Sequence, residues 1–307
     1  MHIGKIAVGH SAPVLYVAEV ACEHQGSLEV SKSFVKAIAD IQNSTGAKLV
    51  VKFQLHIAEN EMVPHTIKFW AGDMDEVLDA VNLAPPEKHI DLMRFCENIG
   101  VQYMCTPFDT KTAYVLHQLG CPAFKVGSGE LTNHPTHRFL AKVCASEGKS
   151  VIFSTGMCTL EEIDETVNIY RAAGAENWAM MNCDSVYPAA YEDVRLGMLK
   201  VLRERYSDVV IGHSDHTPTI YTALGAVALG AKIIEKHITI HKRLHGPDVS
   251  VSIELQEFEE LVRAGRGIEA ALGADKYVTP KEKVVRDWAS HFVVTEQAIL
   301  AGTCITK

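Results

Sequence analysis

Apolar and polar positions along this chain repeat in one unit: an amphipathic stretch, a glycine, then a short apolar run that ends in polar residues. Gly46 precedes Leu49-Val50-Val51-Lys52-Phe53-Gln54, and Gly100 precedes Val101-Gln102-Tyr103-Met104-Cys105-Thr106. The same order follows Gly120, Gly148, Gly174 and Gly230, with runs beginning at Ala123, Val151, Trp178 and Ile233. Glycine just past a helix occupies its left-handed C-cap, so this spacing marks helix ends that feed buried strands. With residues 15–19 and 209–212 added, the pattern predicts eight strands alternating with helices. Such alternation implies a parallel sheet with right-handed crossovers, and eight units close into an α/β barrel of the TIM (β/α)8 type. An open doubly wound sheet is the rival. The first strand, however, runs into Glu23-His24-Gln25-Gly26-Ser27 and not into a Gly-x-Gly-x-x-Gly turn, so the dinucleotide fingerprint is absent.

Around this barrel, placed at residues 14–275, lie two smaller predicted parts. Residues 1–13 suggest a short N-terminal hairpin closing the barrel floor. Residues 276–307 read as a linker and the start of a further domain. Residues 254–272 carry Phe258, Leu261, Val262, Ile268 and Leu272 at helical spacing. Residues 56–86 lack clean periodicity, and a stretch of that length is usually a functional cover, with Met62, Phe69 and Trp70 available to pack over a site or a partner subunit.

Composition narrows the function. The chain has 307 residues, 47% of them hydrophobic, and no apolar run nears the roughly 18 needed to span a bilayer. The N-terminus has neither a basic start nor an apolar signal core, so a cytoplasmic protein without a membrane partner is expected. Eight cysteines contain no Cys-x-x-Cys pair and are expected to be reduced and structural. A net charge of -9 argues against nucleic acid, so an anionic substrate must meet locally placed cations.

Those cations fall at strand ends. The residues Glu19, Lys52, Gln54, Thr106, Asp109, Lys125, Ser128, Glu130, Ser154, Thr155, Asn182, Tyr187, Ser214, His216 and His237 all stand at or just beyond predicted strands, and in a barrel those ends share one mouth. Lys52 and Lys125 sit among apolar residues and need an anion, either a ligand or a carboxylate such as Glu19 or Glu130. Hydroxyls, glycine amides and two lysines together make a phosphate cradle. His216 and His237 close two neighbouring β-branched runs, which suits a divalent metal, with Ser214, Asp215 and Lys236 as polar neighbours. Asp248, in Gly246-Pro247-Asp248, is a turn aspartate or a hydroxyl binder, whereas Thr159 with Glu162 reads as a capping box.

From residue 17 to residue 272 the chain resembles the sialic acid (N-acetylneuraminate) synthases and related nonulosonate synthases. The resemblance rests on Ala18-Glu19, Lys52-Phe53-Gln54, Thr106-Pro107-Phe108-Asp109, Phe124-Lys125-Val126-Gly127-Ser128-Gly129-Glu130 and Ser154-Thr155-Gly156-Met157. It continues through Tyr187-Pro188, Ser214-Asp215-His216-Thr217, Glu235-Lys236-His237 and Gly246-Pro247-Asp248.

That resemblance implies condensation of phosphoenolpyruvate with the open-chain aldehyde of an N-acetylmannosamine-type sugar, giving a nine-carbon 2-keto acid and phosphate. It implies a divalent ion, manganese or else magnesium or cobalt, on His216 and His237. It assigns Lys52, Thr106, Lys125, Ser128, Ser154 and Ser214 to phosphoenolpyruvate, and Gln54, Tyr187 and Asp248 to the sugar. Glu19 and Glu130 then manage water and protons, with His216 and His237 acting through the metal. A homodimer is implied, as is a truncated antifreeze-like (SAF) domain opening at residues 292–306, which in the family crosses to the partner subunit and supplies an arginine. The chain departs from the family where Asn-His-Asn-Gly is Glu23-His24-Gln25-Gly26, where His-Cys-Thr is Asn182-Cys183-Asp184, and where Ser185 replaces an asparagine. Other readings of the same residues are a phosphoenolpyruvate- or phosphosugar-binding barrel without turnover, and a barrel aldolase using Lys52 or Lys125 as a Schiff base.

Overall fold

Alternation of inward and outward side chains along each strand builds the molecule. A computed structural model describes residues 1–61 and 85–306. The predicted cover carrying Met62, Phe69 and Trp70 falls mostly on residues 62–84 and lies outside the described residues. Two short strands, β1 (His2–Ile3) and β2 (Ile6–Ala7), pair antiparallel. Eight parallel strands follow: β3 (Leu15–Ala21), β4 (Leu49–Leu55), β5 (Gln102–Pro107), β6 (Ala123–Val126), β7 (Ser150–Ser154), β8 (Trp178–Cys183), β9 (Val210–Asp215) and β10 (Ile233–Thr239). They pair in sequence order, and β10 pairs with both β9 and β3, which closes the barrel as expected. A short β11 (Ile253–Glu254) adds on to β10.

Outward-facing residues such as Tyr16, Val51, Phe124, Phe153 and Ile234 pack beneath the surrounding helices in one large core. The inward set is separate and smaller. Leu15, Val17, Val50, Met104, Ala123, Ile152, Met181 and Ile233 fill the barrel interior together with Ile3 and Val8 from the N-terminal hairpin. The hairpin therefore closes the floor, and each of its two buried side chains contributes roughly 1.5–3 kcal/mol. At Gly212 a Cβ would lie 2.7 Å from the Ile233 carbonyl oxygen, so only glycine allows β9 and β10 to approach this closely.

Helices end where the glycine pattern places them. Gly46, Gly100 and Gly148 hold left-handed C-caps after the helices Leu28–Thr45, Lys88–Ile99 and His134–Glu147. Thr159 and Glu162 form the expected capping box on Leu160–Ala172. Between the two histidine-bearing strands the helix is shorter than its apolar pattern suggests, only Tyr221–Ala228, because residues 216–219 are used in a turn. The predicted final helix runs Leu255–Ala271 and buries Phe258, Leu261 and Val262.

Residues 1–271 form one unit and 272–307 a second. The second carries one capped helix, Pro280–Ala289, and its described residues 290–306 contain turns and no strand.

Candidate active site

Above the apolar interior layer, the inward positions of the strands become polar. Strand register sets them side by side: Glu19 pairs with Lys52, Gln54 with Thr106, Cys183 with Ser214, Ser214 with Glu235, and His237 with Glu19. All of Glu19, Lys52, Thr106, Lys125, Ser154, Ser214, Glu235 and His237 are buried.

The two lysines are joined by a residue that strand-end reasoning overlooked. Glu235 Oε2 lies 3.3 Å from Lys52 Nζ, and Glu235 Oε1 lies 3.7 Å from Lys125 Nζ. Lys52 also contacts Glu19 directly and donates to Thr106 Oγ1 at 3.3 Å. Lys125 donates to Ser154 Oγ at 2.7 Å, and Ser214 Oγ donates to Glu235 Oε1 at 2.9 Å. Of the carboxylates considered for the lysines, Glu19 is a partner and Glu130 is not. Glu130 lies in the short 3₁₀ turn Ser128–Glu130, where Asn133 Nδ2 donates to it at 2.6 Å. The signal that finds Glu235 is period two: Ile233, Glu235 and His237 share one face of β10, and Ile233 is in the barrel interior.

The same alternation corrects two polar neighbours expected for the histidines. Asp215 and Lys236 face outward, where Lys236 Nζ donates to Asp215 Oδ1 at 3.0 Å and to the Thr217 carbonyl. Asp215 also accepts from the Thr217 amide at 2.7 Å, so the pair fixes the backbone around His216. Asn182 faces outward too and donates to the Val194 carbonyl, leaving Cys183 on the barrel side. Asp109 caps the helix Thr110–Gln118, accepting from the amides of Lys111 and Thr112.

Charge in this layer is finely divided. Burial pushes the Glu19 carboxyl up to about 7, with Lys52 opposing and Glu235 reinforcing the shift. Burial acts the same way on Glu235, but Lys125 and Lys52 outweigh it and bring that carboxyl down to about 2. Burial lowers Lys125, while for Lys52 the neighbouring carboxylates overcome burial and raise it. Burial thus favours the protonated form of Glu19, whereas the two lysines favour the anion of Glu235.

At the rim, Ser128 Oγ accepts from the Gly156 amide at 3.0 Å, and a Cβ at Gly156 would fall 2.9 Å from that oxygen. Gln54 Oε1 lies 3.2 Å from His56 Nε2. The rings of His216 and His237 stand 5.3 Å apart, and Tyr187 packs against both. His216 Nδ1 meets the Asp184 carbonyl, which only accepts, so in the neutral ring Nδ1 carries the proton and Nε2 keeps a lone pair. That Nε2 lies 3.0 Å from the Tyr187 hydroxyl. His237 Nδ1 is buried without a hydrogen-bond partner and lies 3.9 Å from Asp248 Oδ2. His237 offers an unpartnered nitrogen, and His216 would offer Nε2 once the Tyr187 hydroxyl gives way, a pair that fits a divalent ion whose remaining positions go to water and substrate. Among the described residues no group of three or more His, Cys, Asp or Glu is arranged to hold a metal.

A closed eight-stranded barrel with a buried lysine–glutamate layer at its mouth belongs to the class of barrels that carry an active site at the strand C-termini. Residues 38–277 match the family described as "NeuB family", and the chain belongs to that family. It is 35% identical over 268 residues to N,N'-diacetyllegionaminic acid synthase of Campylobacter jejuni, an alignment covering 84% of this chain and 77% of that protein. It is 32% identical over 305 residues to N-acetylneuraminate-9-phosphate synthase of Homo sapiens, covering 97% and 82%. The crystal structure of N-acetylneuraminic acid (sialic acid) synthetase from Leptospira borgpetersenii in complex with citrate superposes with a TM-score of 0.76 at 25% identity, covering 94% of this chain and 95% of that one.

Proposed function

We propose that this protein condenses phosphoenolpyruvate with the open-chain aldehyde of an N-acylated, N-acetylmannosamine-type amino sugar, forming a nonulosonic 2-keto acid and releasing phosphate. The observation that carries the reading is the Lys52–Glu235–Lys125 chain, lined by Thr106, Ser154 and Ser214, in a member of the NeuB family. The phosphate and carboxylate of phosphoenolpyruvate would compete with Glu235 and Glu19 for the two ammonium groups, and the hydroxyls would complete their hydrogen bonds. Ser128, beside the Gly156 amide, would extend this cradle.

Glu19 is placed to take or give a proton as the intermediate is hydrated, since its carboxyl titrates near neutrality. Glu130, raised by burial, is the second candidate for that role. Gln54, Tyr187 and Asp248 would face the sugar. A divalent ion on His216 and His237, manganese in this reading with magnesium or cobalt as substitutes, would polarise the aldehyde oxygen. The reading includes a homodimer in the cytoplasm; among the described residues no helix is long and apolar enough to cross a membrane.

The test is phosphate release from phosphoenolpyruvate in the presence of manganese and a panel of N-acylated hexosamines, with the keto acid identified by mass spectrometry. Release that depends on the sugar supports the reading. Silence across the panel from metal-loaded protein overturns it.

A further inference from the structure

The loop after β3 reaches across the mouth to the end of β10 and the loop after it, and it does so through Cys22, Glu23 and Gln25, which have no part in the proposed chemistry. Glu23 is buried, and its Oε2 accepts from Thr239 Oγ1 at 2.6 Å, at the last residue of β10. Its other oxygen, Oε1, is sealed from solvent without a hydrogen-bond partner. A Cβ at Gly246 would lie 3.1 Å from that oxygen, so the β10 loop passes directly over it. Two residues on, Gln25 Nε2 donates to the His245 carbonyl at 3.0 Å. Beside them Cys22 Sγ donates to Asp248 Oδ2 at 3.2 Å. Glu23, Gln25 and Cys22 thus meet the end of β10 at residue 239 and the loop after it at residues 245 and 248.

We infer that Glu23 and Gln25 are positioning residues that hold the 240–248 loop over the mouth and so set where Asp248 meets the acceptor sugar. The inference rests on the proposed function only for the identity of what Asp248 meets. The physical reason is local. Residues 240–247 are exposed; their start is tied through Lys242 to Glu254, Glu257 and the Pro218 carbonyl, whereas at 245–248 the side-chain hydrogen bonds come from the β3 loop. A hydrogen bond to a buried carboxylate is stronger than a neutral one and its loss leaves the partner unsatisfied. The lysines and hydroxyls assigned to phosphoenolpyruvate lie on β4, β5, β6, β7 and β9 and in the turn after β6, and they share none of these bonds; only their carboxylate partners Glu19 and Glu235 stand on β3 and β10.

The experiment uses the full chain carrying Glu23→Ala, Glu23→Gln, Thr239→Val or Gln25→Ala. Hydrogen exchange over residues 240–248 is measured first, without substrate. Glu23→Ala and Thr239→Val are expected to raise exchange there about tenfold, with β3 to β8 unchanged, and Glu23→Gln to restore most of the protection. Steady-state kinetics should then show the KM for the sugar raised about tenfold and the KM for phosphoenolpyruvate held within about twofold. Gln25→Ala, at an exposed side chain that does not threaten folding, is expected to give a smaller change of the same kind. Unchanged exchange in the loop of Gln25→Ala and Glu23→Ala overturns the inference, as does an equal rise in both KM values. Wild-type protein that turns over no sugar while the exchange result holds instead overturns the proposed function and leaves the loop contact established.

Discussion

Glu235 lies 3.7 Å from Lys125 through one carboxylate oxygen while the other reaches Lys52, so a single buried anion is shared between the two sides of the cradle, with Glu19 as the second carboxylate on Lys52. Replacing it with glutamine keeps an acceptor for Ser214, leaves Lys52 its contact with Glu19, and takes from Lys125 the carboxylate beside it. Breaking a buried pair costs about 3–5 kcal/mol. Glu235→Gln should lose stability on that order in denaturant titrations, and added phosphate or phosphoenolpyruvate should restore much of it. An unaffected midpoint in anion-free buffer would show that the lysines are not held this way.

The same contacts set what the lysines can do. Lys125 is buried and donates to Ser154 and to the Val126 carbonyl, with Glu235 nearby. Lys125→Gln is expected to lower kcat/KM for phosphoenolpyruvate by about 10²-fold, the scale of a charge-assisted contact with a phosphate. Borohydride added during turnover should trap no substrate adduct on either lysine, and peptide mapping would reveal one.

Glu19 makes stability depend on pH in a definite direction. Its ordinary carboxyl value of 4.5 is raised to about 7 in the folded chain, chiefly by burial. Between those values the folded state holds a proton that the unfolded state has lost, so its contribution is full below 4.5 and declines as pH rises through 7. The slope from this group is at most about 1.4 kcal/mol per pH unit. Glu19→Gln, which mimics the protonated form, should be more stable relative to wild type at pH 8 than at pH 5. Equal differences at the two pH values, read by urea midpoints, would place the titration elsewhere.

For the histidines, the expected result of His216→Ala or His237→Ala is loss of bound manganese and of turnover with the barrel still folded. Metal content by mass spectrometry and far-ultraviolet circular dichroism separate these outcomes. Chelation of the wild type should abolish activity and manganese should restore it. Full activity and metal content in His216→Ala would exclude this ion site. Tyr187→Phe, which removes the hydroxyl beside His216 Nε2, should retain metal and lose activity only in part.

Much of this architecture was legible from residue order. Glycine-marked helix ends gave six of the eight strands, and the hairpin residues Ile3 and Val8 were placed at the floor by position alone. Less legible was which side of a strand each polar residue takes. Asp215 and Lys236 are adjacent to His216 and His237 in sequence, yet one step along a strand reverses the face, so they ended beneath the helices. Glu235 could have been found by counting in twos from Ile233. The Glu23–Thr239 contact could not, because it joins loops 216 positions apart and depends on the closure of β10 against β3.

The lysine–glutamate layer also changes how ligand exchange must proceed. Each ammonium group already has a counter-ion built into the wall, so on the proposed function an arriving phosphate would displace a carboxylate instead of filling an open charge. When phosphate leaves, Glu235 and Glu19 are at hand to re-form those pairs. On the proposed function the barrel mouth would work as an ion-exchange resin does, releasing its inorganic product by swapping partners.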